Sequence, residues 1–241
     1  MLAVIPNFDM GKEASSRGDI TIVVDALRFS SSVIAGLGSG AEAFIPVKTL
    51  GEAKRLYRLD DRLILAGERE GIKPNGFHLG NSPTELKQAD LGGKTVVITT
   101  TNGTRALEFS KGSKWRLIGS FINATAVSAV ASRLAGKEKD ISIVLASRYG
   151  EIFLEDFVCA GLLASRIAGE LEAMNDEAMA ARLAWIAIEH DHERIIRRSS
   201  HAVHLERIGY GEDVRFCLQI DLYDLVPYVR GGKIVRLQPV S

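Results

Sequence analysis

Apolar and β-branched residues fall into short runs separated by stretches of helical spacing, an alternation that predicts an α/β chain. The run over residues 19–25, Asp-Ile-Thr-Ile-Val-Val-Asp, is continuous enough for a central strand covered on both faces, and it ends in a carboxylate. Further strands are expected at 43–47, 62–66, 94–98, 115–118 and 141–146. Helices are expected at 30–40, 50–59, from about 105, at 123–134, from 154 to about 170, from 175 past His190, and at 200–208. Ser82-Pro83-Thr84-Glu85 reads as a capping box with proline at the first helical position. Residues 67–80 are too rich in glycine and proline for an element and predict a long functional loop. Two β-like runs around Gly231-Gly232, over 226–237, predict a hairpin. The expected architecture is a mixed, largely parallel sheet flanked by helices, with a C-terminal helical segment and a β-hairpin. No repeat, low-complexity tract or linker divides the chain, so residues 1–241 are expected to form one domain.

Polar residues follow five of these strands: Asp25 and Arg28, Glu68 and Arg69, Thr100 and Asn102, Ser120 and Asn123, Ser147 and Arg148. In open α/β sheets ligands bind beyond the carboxyl ends of the strands, so these groups are expected to converge on one crevice if their strands are parallel.

Composition narrows the partners. The chain of 241 residues is 46% hydrophobic, enough for a full core. Lys plus Arg and Asp plus Glu are equal at 30 each, which disfavours nucleic acid or an anionic membrane as partner. No apolar run reaches the roughly 18–20 residues of a membrane span, and the amino terminus lacks a basic leader. With only Cys159 and Cys217, both in apolar patterns, a cytoplasmic location is expected. The small-residue pattern Ala178, Ala181, Ala184, Ala187 suits close helix packing, and around Ala184 a homodimer contact.

The candidate chemistry centres on Thr100-Thr101-Asn102-Gly103-Thr104, which joins a strand to a helix. Such a turn offers unpaired backbone N–H groups and a helix dipole to an anion, with hydroxyl and amide donors beside them. Helix capping alone accounts for the same residues. Asp25 with Arg28 is the second constellation: a strand-end carboxylate can hold Mg²⁺ or attack phosphorus, and an arginine grips phosphate oxygens in pairs. An N-cap aspartate beside a surface arginine is the structural alternative. Glu68, Glu155 and Asp156 are further candidate ligands, although acids in a first helical turn are favoured by the dipole without any metal.

Several other patterns are excluded. Gly36-x-Gly38-x-Gly40 sits at a helix end and is no dinucleotide fingerprint. Val24-Asp25-Ala26-Leu27 lacks the second aspartate of Asp-x-Asp phosphatases, and Ser165 stands where Cys159 would need an arginine in a cysteine phosphatase. His190, His192, His201 and His204 lack the spacing of a zinc site, though His201 beside Ser200 is placed to reach a ligand.

Taken together, the blocks Val24–Ser30, Gly67-Glu68-Arg69, Gly76-Phe77-His78-Leu79-Gly80-Asn81-Ser82-Pro83, Thr100–Thr104, Gly119–Ala124, Leu154–Gly161, Leu205–Tyr210 and Cys217-x-Gln-Ile-Asp-Leu-Tyr-Asp-Leu-Val-Pro resemble the 2-phosphosulfolactate phosphatase family in order and nearly throughout the chain. The resemblance implies a Mg²⁺-dependent phosphatase that converts 2-phosphosulfolactate to 3-sulfolactate, a step associated with coenzyme M synthesis. It implies a small anionic phosphorylated substrate, with Thr100–Thr104, Asn81 and Ser82 at the substrate and Asp25 with Glu68, Glu155 or Asp156 at Mg²⁺. Arg28 and Arg69 are expected to neutralise the phosphoryl group, and Arg105 or Arg148 to bind the carboxylate and sulfonate. The chain departs from the expected pattern at His78 in place of aspartate, at Glu70 in place of glycine, and at Arg148. These departures bear on the substrate more than on the reaction, leaving another small phosphorylated hydroxy acid, or non-catalytic anion binding, as alternatives.

Overall fold

A computed structural model of the protein describes residues 1–7, 20–136, 139–147, 151–167 and 173–238. Its strands are β1 Leu2–Ile5, β2 Ile20–Val24, β3 Ala43–Pro46, β4 Ile64–Gly67, β5 Leu79–Gly80, β6 Thr95–Thr99, β7 Trp115–Gly119, β8 Ile141–Leu145, β9 Pro227–Arg230 and β10 Lys233–Arg236. The helices are α1 Phe29–Gly38, α2 Leu50–Leu59, α3 Pro83–Gln88, α4 Gly103–Phe109, α5 Ala124–Ala135, α6 Leu154–Ile167, α7 Asp176–Ile188, α8 His192–Ile196, α9 Ser200–Arg207 and α10 Gly211–Cys217. The strands form one sheet in the order β1-β8-β2-β7-β9-β10-β3-β6-β4-β5.

The mixed, largely parallel sheet follows the pattern of the sequence, with one difference that governs the site. β1, β8, β2 and β7 are mutually parallel, as are β3, β6, β4 and β5. The C-terminal hairpin joins the two sets, β9 lying antiparallel to β7 and β10 antiparallel to β3. Following the pairings across the hairpin, the two sets run in opposite senses, so the five polar-tipped strands are not all parallel. The carboxyl ends of β2 and β6 meet nonetheless: a Cβ on Gly103, beyond β6, would lie 2.7 Å from Asp25 Oδ2, beyond β2. Helix α1 fills the space between the halves: Phe29, Val33 and Ile34 belong to a buried cluster that holds Val23 of one half and Val96 and Ile98 of the other.

Several boundaries differ from the expected ones. Residues 2–5 form a fully buried strand, and Leu79–Gly80 adds a short strand to the long loop. The helix expected to run past His190 stops at Ile188, and a turn precedes α8. At α3, Ser82 caps the Glu85 N–H as expected, but the Glu85 carboxylate accepts from Gly80 N at 2.7 Å, two residues beyond the capping-box position. On α7, Ala178 and Ala181 are buried in the same cluster as α6, whereas Met179, Leu183 and Ile186 are exposed. No helix among the described residues is long and apolar enough to cross a membrane.

Candidate active site

Buried β2 ends in Asp25, and the turn that follows fastens itself. Asp25 N donates to Ser30 Oγ, Ser30 N donates to the Asp25 carbonyl, and Phe29 N donates to Asp25 Oδ1. Opposite lies Gly103, the first residue of α4. A Cβ there would sit 2.4 Å from the Phe29 ring and 2.7 Å from Asp25 Oδ2, so only glycine lets the loop after β6 approach this carboxylate. Gly67 serves the same approach at the end of β4: its φ is +154°, and a Cβ would meet Thr99 O at 2.3 Å.

A cavity of about 240 Å³ opens where these ends meet. Asp25, Arg28, Glu68, Glu70, Asn81, Thr100, Thr101, Asn102 and Asp156 line it, joined by Phe153, His201 and His204. The tips of β2, β4 and β6 therefore converge, as the sequence leads one to expect. β8 contributes Ala146, while Arg148 lies outside the described residues. The β7 tip does not take part. Ser120 shares a hydrogen bond with Ser31, and Asn123 ties Ser120 N to the Ile118 and Leu225 carbonyls.

The 100–104 segment divides its labour between the two readings. Thr100 Oγ1 accepts from Thr104 N, and Thr104 Oγ1 donates to the Thr100 carbonyl, so these hydroxyls close the first turn of α4. Asn102 holds the N-cap position yet makes no capping bond, and its buried Oδ1 has no partner among the described residues. Asn81 also lines the cavity, and its Oδ1 likewise has no partner among them. An unpaired buried acceptor carries its full desolvation cost, so these amide oxygens suit a ligand donor or a cation.

Arg28 is buried rather than on the surface. Nη1 donates to Asp213 Oδ2 at 2.8 Å, Nη2 donates to the Gly71 carbonyl at 2.5 Å, and the guanidinium lies 4.1 Å from the centre of the Tyr210 ring. Asp213 Oδ1 accepts in turn from Ser82 Oγ at 2.7 Å and Thr84 Oγ1 at 2.5 Å. Ser82 thus belongs to the scaffold behind Arg28 and does not line the cavity. Arg69 is turned away to Thr99 Oγ1 and the Glu68 and Lys48 carbonyls, and Arg105 is exposed on α4; neither lines the cavity.

The four acids separate into two kinds. Glu68 clamps two loops, accepting from Thr101 N at 2.7 Å and Gly71 N at 2.9 Å. Glu155, 1% exposed, accepts from Ser199 Oγ and pairs with His201 Nδ1 at 2.7 Å. Asp25 and Asp156 differ: Asp25 Oδ1 accepts from Phe29 N and Asp156 Oδ1 from Ala26 N, and among the described residues neither second oxygen receives a hydrogen bond. Burial pushes the Asp25 carboxyl up from 3.8 to about 6; His201 and the Phe29 N–H oppose this, and the charges of Glu68 and Glu155 add to it. Asp156 lies well above the carboxylate range, through burial first and then the charges of Asp25 and Glu155. For His201, burial disfavours the imidazolium, but the hydrogen bond and charge of Glu155 and the charge of Asp25 outweigh it and raise its pKa.

Among the described residues no three His, Cys, Asp or Glu side chains gather as a metal cluster, so the four acids are not one ligand set. Mg²⁺ needs only one or two carboxylates, with water and substrate oxygens completing its shell. The mutually repelling Asp25 and Asp156, with the orphaned Asn81 and Asn102 oxygens in the same cavity, fit that requirement. Cys159 is buried with its thiol pKa pushed up by burial and by Asp156, which makes it an inert core group.

The sequence model of the 2-phosphosulpholactate phosphatase family matches residues 8–232. The chain belongs to this family. It is 39% identical to a protein of Thermotoga petrophila named probable 2-phosphosulfolactate phosphatase, over 89% of this chain and 90% of the relative. Proteins with the same name from Clostridium acetobutylicum (33% identity, 93% and 95% coverage) and Clostridium perfringens (34%, 98% and 96%) are similar along nearly the whole chain.

Against the expected family pattern, the departures fall in different places. His78 is away from the cavity: its Nδ1 accepts from Leu65 N and its ring meets Tyr57 edge-on, which secures β4 and gives no argument about substrate. Glu70 lines the cavity and adopts φ +54°, a conformation that glycine takes without strain. Asp213, separated from Arg28 by 185 positions, carries no local signal in the sequence. His201 is legible there as placed to reach a ligand, but its pairing with Glu155 appears only in three dimensions.

Proposed function

We propose that this chain hydrolyses 2-phosphosulfolactate to 3-sulfolactate and phosphate, with Mg²⁺ as its metal. The observation that carries the reading is the meeting of Asp25, Asp156, Arg28 and the Asn81 and Asn102 amide oxygens, unpartnered among the described residues, in one small cavity, in a chain of a phosphatase family. Asp25 and Asp156 would hold the ion, whose positive charge would offset the negative charge on the phosphoryl oxygens. Arg28, fixed by Asp213 and Tyr210, presents a preorganised cation to the phosphate, and Asn102 and Thr101 supply donors beside it. A second reading, another small phosphorylated hydroxy acid, is favoured by Glu70, an exposed acid among the cavity's lining residues whose negative charge opposes a further anionic group.

The test is phosphate release from 2-phosphosulfolactate, phospholactate and phosphoglycerate, each with Mg²⁺ and with EDTA. Release from 2-phosphosulfolactate that EDTA abolishes is the expected result. Preference for another ester supports the second reading, and tight binding without turnover would replace both with an anion-binding role. Wild-type rates in Asp25→Asn and Arg28→Ala would refute the assignment of this cavity.

Gly103→Ala is expected to lower phosphate release by roughly 10²-fold, because a displaced Asp25 loses its working geometry. The overpacking itself costs ~1–3 kcal/mol. Thermal unfolding and kcat/KM measured on the same preparation separate the two effects; an unchanged rate would show that the close approach is not needed.

A further inference from the structure

Hydrolysis of a 2-hydroxy acid phosphate expels a strongly basic alkoxide, and neither the two aspartates nor Arg28 is assigned to protonate it. The same cavity holds a group built for that task. His201 is the second residue of α9, and Glu155 of α6 holds both the helix and the ring in place. Glu155 Oε2 accepts from Ser199 Oγ, the N-cap of α9, while Oε1 takes His201 Nδ1 at 2.7 Å. A carboxylate on Nδ1 fixes the ring orientation and leaves Nε2 on the opposite edge. Nε2 has no partner among the described residues, and the ring lines the cavity together with Asp25 and Asp156. Phe153 packs against the ring, 5.3 Å between centroids, and lines the same cavity. A pair that served only to join α6 to α9 would be buried throughout; here the Glu155 side chain is 1% exposed and that of His201 28%.

We propose that His201 is the general acid of the reaction, donating its Nε2 proton to the ester oxygen, with Glu155 as its positioning residue. As the bond between phosphorus and the ester oxygen breaks, its electron pair stays on that oxygen. The oxygen takes the Nε2 proton and leaves as the hydroxyl of the hydroxy acid. A water oxygen makes the new bond to phosphorus, directly or after attack by Asp25, and releases a proton. His201 recovers a proton from solvent, so ester and water become hydroxy acid and phosphate. The inference rests on the phosphatase reading above and adds the fate of the leaving group.

Leaving-group dependence tests it. In His201→Asn the Asn Nδ2–H replaces the Nδ1–H on Glu155, retaining the contact between helices while removing the acid; His201→Gln is the second variant. Both are assayed with 2-phosphosulfolactate and with p-nitrophenyl phosphate, whose leaving group needs no proton. Loss of roughly 10²–10⁴-fold in kcat/KM on the alkyl ester, against less than about 5-fold on the aryl ester, is expected. Equal losses on both, or none on either, would overturn the assignment. Should the wild-type protein not turn over the aryl ester, the bridging ¹⁸O isotope effect on the alkyl ester replaces it. That effect is expected to rise in the variants, and an unchanged effect overturns the proposal. If the wild-type protein leaves 2-phosphosulfolactate intact, the substrate reading has failed, and the same comparison is made on the alkyl ester that it does hydrolyse.

Discussion

Asp25→Asn is expected to give a more stable metal-free protein that no longer releases phosphate. The native fold disfavours the ionised carboxylate, since the Asp25 pKa rises from 3.8 to about 6. A group with a raised acid pKa costs nothing while protonated in both states. The cost grows as pH climbs through the interval between those two values and is complete above about 6. Asparagine removes this cost, of the order of a few kcal/mol at neutral pH, while still accepting from Phe29 N. At roughly 2–4 °C per kcal/mol for a chain of this length, a rise of several degrees in Tm is expected. Thermal unfolding at pH 7.5 in EDTA checks the gain, and repetition near pH 4 should shrink it. Added Mg²⁺ should raise the Tm of the wild-type protein and not that of the variant, because only the former offers the paired carboxylates. An Asp25→Asn protein less stable than wild type in EDTA would show that the carboxylate contributes more to the fold than its burial costs.

Asp213→Ala should be among the most destabilising single changes outside the apolar core. The Arg28 and Asp213 side chains are 2% and 1% exposed, so truncating the acid leaves a guanidinium charge buried with one carbonyl and a tyrosine ring for company. Removing one partner of a buried pair costs ~3–5 kcal/mol, whereas replacing both with apolar residues of similar size is often close to neutral. The Ser82 and Thr84 hydroxyls lose their acceptor as well. Urea unfolding is the measurement, with the midpoint falling at constant slope. The double variant Arg28→Met/Asp213→Leu should recover much of the loss in stability and none of the activity. A cost below about 1 kcal/mol for Asp213→Ala would mean that solvent reaches Arg28.

These two residues also mark where the sequence was and was not legible. Asp25 announces itself, because a β-branched run that ends in a carboxylate sets that carboxylate at a strand end, and the structure puts it there. The elements around it were legible for the same reason: period and punctuation are local. Asp213 sits in a seven-residue helix with no sustained apolar period, and its partner is far away along the chain. Position was legible for Glu68 and Glu155, but direction was not. Nothing local says that Glu68 turns to two backbone amides, or that Glu155 turns to His201. The opposed sense of the two half-sheets was likewise hidden, since it depends on which strands the hairpin pairs with.

That hairpin has a consequence for the order of assembly in the cell. Among the described strands β9 and β10 come last, yet they connect β7 to β3 in the sheet. A chain emerging from the ribosome therefore has all the strands of both half-sheets well before it has the piece that joins them. The residues of the cavity are divided between those halves, with Asp25 and Asp156 on one side and Glu68, Thr101 and Asn102 on the other. Nascent chains should thus carry two partly formed, aggregation-prone sheet edges and no working site until residues 227–236 have been made, which makes this hairpin the timer for activity.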